Sequence, residues 1–313
     1  MKNKKVCVIG GAGFLGSHLV DYLIEQENEV LVLDNFISGR RDFVNPRAVF
    51  LWCDITHSES SLLKIFAKYE IEYVFNYAAE PYVPSSYSRP LHVFDVNARG
   101  ALIVMNAAQE AGVLGILQVS SAEIYGVSEG AINEGDPANP HSTYGASKLA
   151  IDAIVQTRWK ESNCPAIALR QFNCLGERDV LHPYVVPEIY RQLLKSDHVF
   201  LGNNSYRDFM YAGDAVKMAV ELLEKGRLGE VYNLGSQEGI QIYDLAKMIG
   251  KVMGREISVQ EDPERKRAWE IWRLQSDNSK IHRVVSSRPE VSLEEAVKRT
   301  INYYQENGDK WAF

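Results

Sequence analysis

The sequence is short of most features that mark a metal, disulfide-stapled, nucleic-acid-binding or membrane protein. It has four cysteines, Cys7, Cys53, Cys164 and Cys174. None forms a CxxC pair and no histidine sits beside them at metal-ligand spacing, which argues against zinc or any other metal and against a disulfide scaffold, and predicts a reducing, cytoplasmic setting. Positive charge is also scarce. The 34 Lys and Arg face 41 Asp and Glu, a net charge of −7, so no global field draws the chain to nucleic acid or to an anionic membrane. Any anionic ligand must be held by local donors. No apolar run approaches membrane-spanning length. The opening stretch MKNKKVCVIGGAGFLG has a basic flank, but glycines replace the apolar centre of a secretory signal and no small-residue cleavage site follows, so no leader is expected. Internal repeats and low-complexity tracts are absent as well.

What the chain does have is apolar mass and a regular alternation. With 313 residues and 46% hydrophobic content it can bury one large core or two modest ones. Short β-branched runs at Val6 to Gly10, Val30 to Leu33, Ala48 to Trp52, Tyr73 to Asn76, Gly115 to Ser120 and Ala166 to Phe172 alternate with stretches of helical spacing near 58–69, 91–111 and 143–162. That alternation predicts an α/β fold of the doubly wound type, with a mostly parallel sheet and helices on both faces. Residues 1–178 are expected to form this dinucleotide-binding domain, with 208–236 returning to it. Segments 179–207 and 237–313 would form a smaller α/β substrate lobe.

GGAGFLG, Gly10 to Gly16, lies between the first strand and the first helix. Gly10 permits the tight turn, Gly13 lets the backbone approach a pyrophosphate, and Gly16 lets helix and strand pack closely, so that the helix N-terminus faces the phosphates. Asp34 follows at the end of the second strand, where a carboxylate accepts from ribose hydroxyls and repels a 2′-phosphate. The cofactor is therefore read as NAD rather than NADP, although Arg40 and Arg41 lie nearby in sequence. Further on, Tyr144 and Lys148 stand four apart on one helix face. A nearby ammonium would favour the phenolate and bring Tyr144 towards the range of a working base. Ser121, at the end of an intervening strand, would hydrogen-bond the same substrate oxygen.

These residues together resemble the extended short-chain dehydrogenase/reductases, specifically the NAD-dependent nucleotide-sugar epimerases and dehydratases. GGAGFLGSH is similar to the family's glycine motif, with Ile9 where a Thr is usual. LDNFISGRR, CDI, NYAAE, VNARG, RQFNCLG and RDFMY each resemble further family segments. The resemblance implies that Gly10, Gly13, Phe14, Leu15, Gly16, Asp34, Asn35, Asp54, Ile55, Ala78, Ala79, Asn97, Tyr144 and Lys148 serve the cofactor, with Asn97 supporting the site's geometry. It implies Tyr144 as the base at the sugar 4-hydroxyl, tuned by Lys148 and assisted by Ser121. Glu80, Ser121, Glu123, Asn173, Arg207 and one of Arg265 or Arg267 would contact the nucleotide-diphosphate sugar. For Arg207 the plain alternative is a salt bridge to Asp208 or Asp214. Trp269, Trp272 and Tyr206 would either stack on the nucleotide base or pack in the lobe's core. The resemblance also implies a homodimer formed through the helices near 91–111 and 143–162.

One carboxylate separates the possible reactions. A 4-epimerase needs no further acid or base once C4 is oxidised, whereas a 4,6-dehydratase needs a carboxylate beside C5. SSAEIYG reads Ser121, Ala122, Glu123. The dehydratases this segment resembles carry two acids or a Ser and an acid here, and the 4-epimerases usually carry Ser-Ala followed by a non-acid. Glu123 and the AAE at Glu80 point to a dehydratase; Ala122 removes the group expected to protonate the departing water, so Glu123 is expected as the C5 base and also as the group that manages the C6 hydroxyl. The expectation is a nucleotide-sugar 4,6-dehydratase, with a UDP-glucose 4-epimerase-like enzyme as the alternative and a non-catalytic dinucleotide sensor as the rival from another class.

Overall fold

The computed structural model describes residues 1–179, 183–266 and 269–308. Among the described residues thirteen strands appear in chain order: β1 (Lys5–Ile9), β2 (Glu29–Asp34), β3 (Val49–Trp52), β4 (Tyr73–Asn76), β5 (Gly115–Ser121), β6 (Ala166–Gln171), β7 (Asn173–Leu175), β8 (His198–Leu201), β9 (Tyr206–Tyr211), β10 (Val231–Leu234), β11 (Gly239–Gln241), β12 (Ser258–Glu261) and β13 (Arg273–Leu274). The helices are α1 (Phe14–Glu25), α2 (Glu59–Lys68), α3 (Ser85–Ser88), α4 (Pro90–Phe94), α5 (Gly100–Glu110), α6 (Thr143–Ser162), α7 (Val185–Leu193), α8 (Ala212–Lys225), α9 (Ile242–Val252) and α10 (Leu293–Asn307).

Seven strands make one sheet in the order β10-β6-β5-β4-β1-β2-β3, and every neighbouring pair runs parallel. Parallel strands carry helices on both faces and therefore read as continuous apolar runs; β6, AIALRQ, is buried at every residue. One apolar cluster joins Leu19, Leu23, Val216 and Leu222 to Val8, Phe75 and Leu169. The other joins Leu62, Phe66, Met105 and Ile151 to Cys7, Val74 and Ile116. The chain winds from β1 outward to β3 and then crosses back to β4, so a crevice opens beyond the C-terminal ends of β1 and β4. Ligands of doubly wound sheets bind at such a reversal.

The second sheet holds β11, β9 and β13, with β7 also paired to β9. A separate parallel pair, β8 with β12, lies alongside. Behind these strands Ile189, Leu193, Leu245, Ile249, Val297, Ile301 and Tyr304 close a third apolar cluster. Within the 208–236 segment, α8 and β10 belong to the large sheet's side of the molecule, whereas β9 belongs to the small one.

The continuous helix expected over 91–111 is interrupted. Residues Asp95–Arg99 form a π-helical turn between α4 and α5, and such turns often mark functional positions. Asn97 occupies its centre.

Candidate functional site

A cavity of about 700 Å³ runs from the glycine turn to the second sheet, within the range of small-molecule sites. At its cofactor end Gly10 has a positive φ of 76°, and a Cβ there would lie 2.6 Å from the Ala78 nitrogen. The ends of β1 and β4 can therefore meet only through a glycine. A Cβ on Gly16 would lie 2.0 Å from the Gly10 carbonyl, so α1 seats on the turn for the same reason. Gly13 precedes α1 and no side chain caps that helix; its first-turn residues Phe14, Leu15 and Gly16 line the cavity. The free N–H groups and the positive end of the helix dipole make a place for phosphate.

Asp34 is held by the backbone N–H groups of Ala12 (3.0 Å) and Phe36 (2.8 Å). Asn35 donates to Asp54 at 3.2 Å, and Asp34, Asn35, Asp54, Ile55, Ala78 and Ala79 all line the cavity. Neither Arg40 nor Arg41 lines it; Arg41 lies over the Phe50 ring. The residues present thus fit an NAD adenosine, with a carboxylate rather than a cation at the ribose.

The reactive centre is built from β5 and α6. Ser121 ends β5, and its hydroxyl accepts from the Glu123 N–H at 3.2 Å in the 3-10 turn Ala122–Ile124. It also shares a hydrogen bond with the Tyr144 phenol. Lys148 donates to the Val119 carbonyl at 2.9 Å and stands 5.9 Å from the Tyr144 ring centre. Burial pushes Tyr144 up to about 12; its bond to Ser121 opposes this and the Glu123 charge reinforces it. Desolvation, rather than the ammonium of Lys148, sets the direction of the shift. Burial also brings Lys148 down to about 8, against the pull of Asp152. Asp152 is itself buried in an ion pair with Arg170 at 2.7 Å. This anchor lies one further turn along α6, and the Tyr144, Lys148, Asp152 spacing of four was the signal for it.

Glu123 and Glu80 both line the cavity. Glu80 is 7% exposed, with Arg89 at 3.2 Å and His92 at 3.8 Å from its carboxylate. At the substrate end, Asn173 donates to the Asp208 carbonyl at 3.2 Å. Arg207 pairs with Glu270 at 2.6 Å and Arg265 with Glu188 at 2.8 Å. The partner of Arg207 is therefore neither Asp208 nor Asp214, which bind Ser236 and Ser276 and the N–H groups of Glu290 and Val291 respectively.

Four of the residues named in those expectations do not line the cavity. Asn97, 1% exposed, does not line it: its side chain accepts from the Glu80 N–H (2.8 Å) and donates to the Glu80 carbonyl (3.2 Å) and the Ser147 hydroxyl (3.0 Å). It clamps the wall behind the site and does not touch a ligand there. Trp269 and Trp272 are 68% and 57% exposed, and Tyr206 lies beneath Arg273; none lines the cavity, nor are the tryptophans core. Arg267 lies outside the described residues. Conversely, Tyr184, Asp179, Glu188 and Glu270 line the cavity without having been singled out.

A parallel sheet with a glycine turn at its reversal and a Ser, Tyr and Lys on adjoining elements defines a nucleotide-dependent oxidoreductase-type site. The NAD dependent epimerase/dehydratase family matches residues 6–235, and the chain belongs to that family, which makes NAD its cofactor. Mouse dTDP-D-glucose 4,6-dehydratase is 28% identical over 98% of this chain and 90% of its own. UDP-glucose 4-epimerase of Lacticaseibacillus casei is 32% identical over 83% of this chain and 85% of its own. The crystal structure of Thermotoga maritima UDP-glucose 4-epimerase with UDP-glucose superposes with a TM-score of 0.90 at 29% identity, covering 97% of this chain and 99% of that one. The protein is an enzyme of the nucleotide-sugar epimerase/dehydratase class.

Proposed function

We propose that the protein is a nucleotide-sugar 4,6-dehydratase. The observation that carries this reading is Glu123: it stands two residues after Ser121 in the turn after β5, lines the same cavity as Tyr144, and acts on Tyr144 through its charge. An epimerase has no use for a carboxylate there.

NAD held at the glycine turn and Asp34 would supply the hydride acceptor for C4 and the hydride donor for C6. The chain's own residues manage the protons. Tyr144, with Ser121 on its phenol, takes the proton of the sugar 4-hydroxyl. Lys148, cationic below pH about 8, stabilises the phenolate. The new ketone acidifies C5, and Glu123 takes that proton and restores it to C5 after C6 has been reduced. Asp34 and Asp54 hold the adenosine end, and Asn173, Arg207 and Arg265 the nucleotide diphosphate, Arg being suited to forked contact with phosphate. A homodimer working in the cytoplasm completes the reading.

Incubation with UDP-, dTDP-, GDP- and CDP-hexoses tests it by product mass. Loss of one water supports dehydration. In Glu123→Gln water loss should fall by about 10²–10⁴-fold while C4 oxidation persists as absorbance of reduced nicotinamide. Unaltered product formation in that variant overturns the assignment. The second reading, a 4-epimerase, rests on Ala122, a buried methyl where a dehydratase places an acid; a product of unchanged mass supports it.

A further inference from the structure

Departure of the C6 hydroxyl as water needs a proton, and Ala122 cannot supply one. The donor must be another group of the cavity. Five of its carboxylates are already engaged: Asp34 by two backbone N–H groups, Asp54 by Asn35 and Thr56, Glu80 by Arg89, Glu188 by Arg265 and Arg191 and Glu270 by Arg207 and Asn203. These carboxylates are already committed as hydrogen-bond acceptors to fixed donors and are not free to turn towards a C6 oxygen. Glu123 is the base. Asp179 remains.

We propose that Asp179 is the acid of the elimination, its carboxyl giving a proton to the C6 hydroxyl as that group leaves. This rests on the dehydration reading above. Asp179 lines the same cavity as Glu123 and Tyr144 and is only 4% exposed. It is fixed through its backbone: its N–H reaches the Gly176 carbonyl (3.4 Å) and its carbonyl accepts from the Tyr304 hydroxyl (2.5 Å). Among the described residues no side chain or backbone N–H binds its carboxyl. Among the described residues the titratable groups that face it are Cys174 on β7, Tyr184 before α7 and Tyr304 on α10, none of them a cation. Burial alone pushes the carboxyl up to about 8, so at neutral pH it carries the proton it has to deliver.

The protons balance. Glu123 takes the C5 proton, the C5–H electron pair becomes the C5=C6 bond, and the C6–O pair leaves with the oxygen, which takes the Asp179 proton and departs as water. Asp179 is then one proton short. Tyr144, having taken the 4-hydroxyl proton, holds one in excess. Transfer of that proton from Tyr144 to Asp179, both lining one cavity with Tyr184, on which each acts electrostatically, resets both groups.

The test compares UDP- and dTDP-glucose with their 6-deoxy-6-fluoro counterparts, because fluoride is a weak base and leaves without being protonated. In Asp179→Asn, water loss should fall by about 10²–10⁴-fold, fluoride release should stay within a few-fold of wild type, and Ala122→Asp added to the variant should restore water loss. Wild-type enzyme gives a readout free of any folding defect: both eliminations follow C4 oxidation and share its dependence on Lys148, but water loss should decline more steeply than fluoride release as the pH rises past the titration of Asp179. If wild type eliminates from neither kind of substrate, the dehydration reading falls and this one with it. Wild-type water loss that is undiminished in Asp179→Asn, or that shares one alkaline profile with fluoride release, overturns the Asp179 assignment alone.

Discussion

Asp179 also has a cost in stability, with a definite sign. Its carboxyl titrates near 8 in the folded chain against an ordinary value of 3.8, so over that interval the folded state binds more protons than the unfolded one. Stability from this group is complete below about 3.8 and is lost as the pH rises to about 8. Asparagine removes the titration. The melting temperature of Asp179→Asn relative to wild type should therefore climb between about pH 4 and pH 8 and level off beyond; a difference that is flat with pH, measured by calorimetry, contradicts it. Residues of this kind were hard to read in advance. Tyr144 and Lys148 announce themselves by a spacing of four within one helix, whereas Asp179, Tyr184, Glu188 and Glu270 meet the site only through contacts between distant segments. Burial, not spacing, decides their charge, and for Tyr144 itself burial reversed the expected direction of shift.

The elements around the cavity were legible wherever one local rule sufficed. β-Branched runs gave the strands of the large sheet, and the glycine turn gave the start of α1. Gly16 shows how tight that rule is, since the missing Cβ would sit 2.0 Å from a backbone carbonyl that cannot yield. Gly16→Ala should abolish NAD binding measured by calorimetry and lower the melting temperature, whereas Gly112→Ala, strained in φ but with nothing within 4 Å of its Cβ, should leave NAD affinity unchanged. Retained affinity in Gly16→Ala would contradict the seating of α1 on the turn. The π turn at Asp95–Arg99 was not legible, because helical periodicity continues through it. Its cause is tertiary: Asn97 must reach Glu80 and Ser147 at once. The partners of Arg207 and Arg265 were hidden for a related reason, as Glu270 and Glu188 come from other parts of the chain.

At the scale of the molecule the two sheets are interleaved. The chain passes from β6 straight into β7 of the small sheet, goes on through β9, and comes back with α8 and β10. A chain ending at residue 178 would keep the glycine turn, Tyr144 and Lys148 but lose the strand that covers β6 and the helix that covers α1. It should elute as aggregate in gel filtration; a monodisperse, NAD-binding fragment would contradict this. Among the described residues no helix is long and apolar enough to cross a membrane.

The late arrival of β10 has a consequence for synthesis on the ribosome. About 60 residues separate the end of β6 from the start of β10, and at about 5–20 residues per second their translation takes about 3–12 s. Throughout that interval the nascent chain presents to the cell an open strand edge, apolar from Ala166 to Leu169, the kind of surface that trigger-type holdases shield and that neighbouring polysome chains can join.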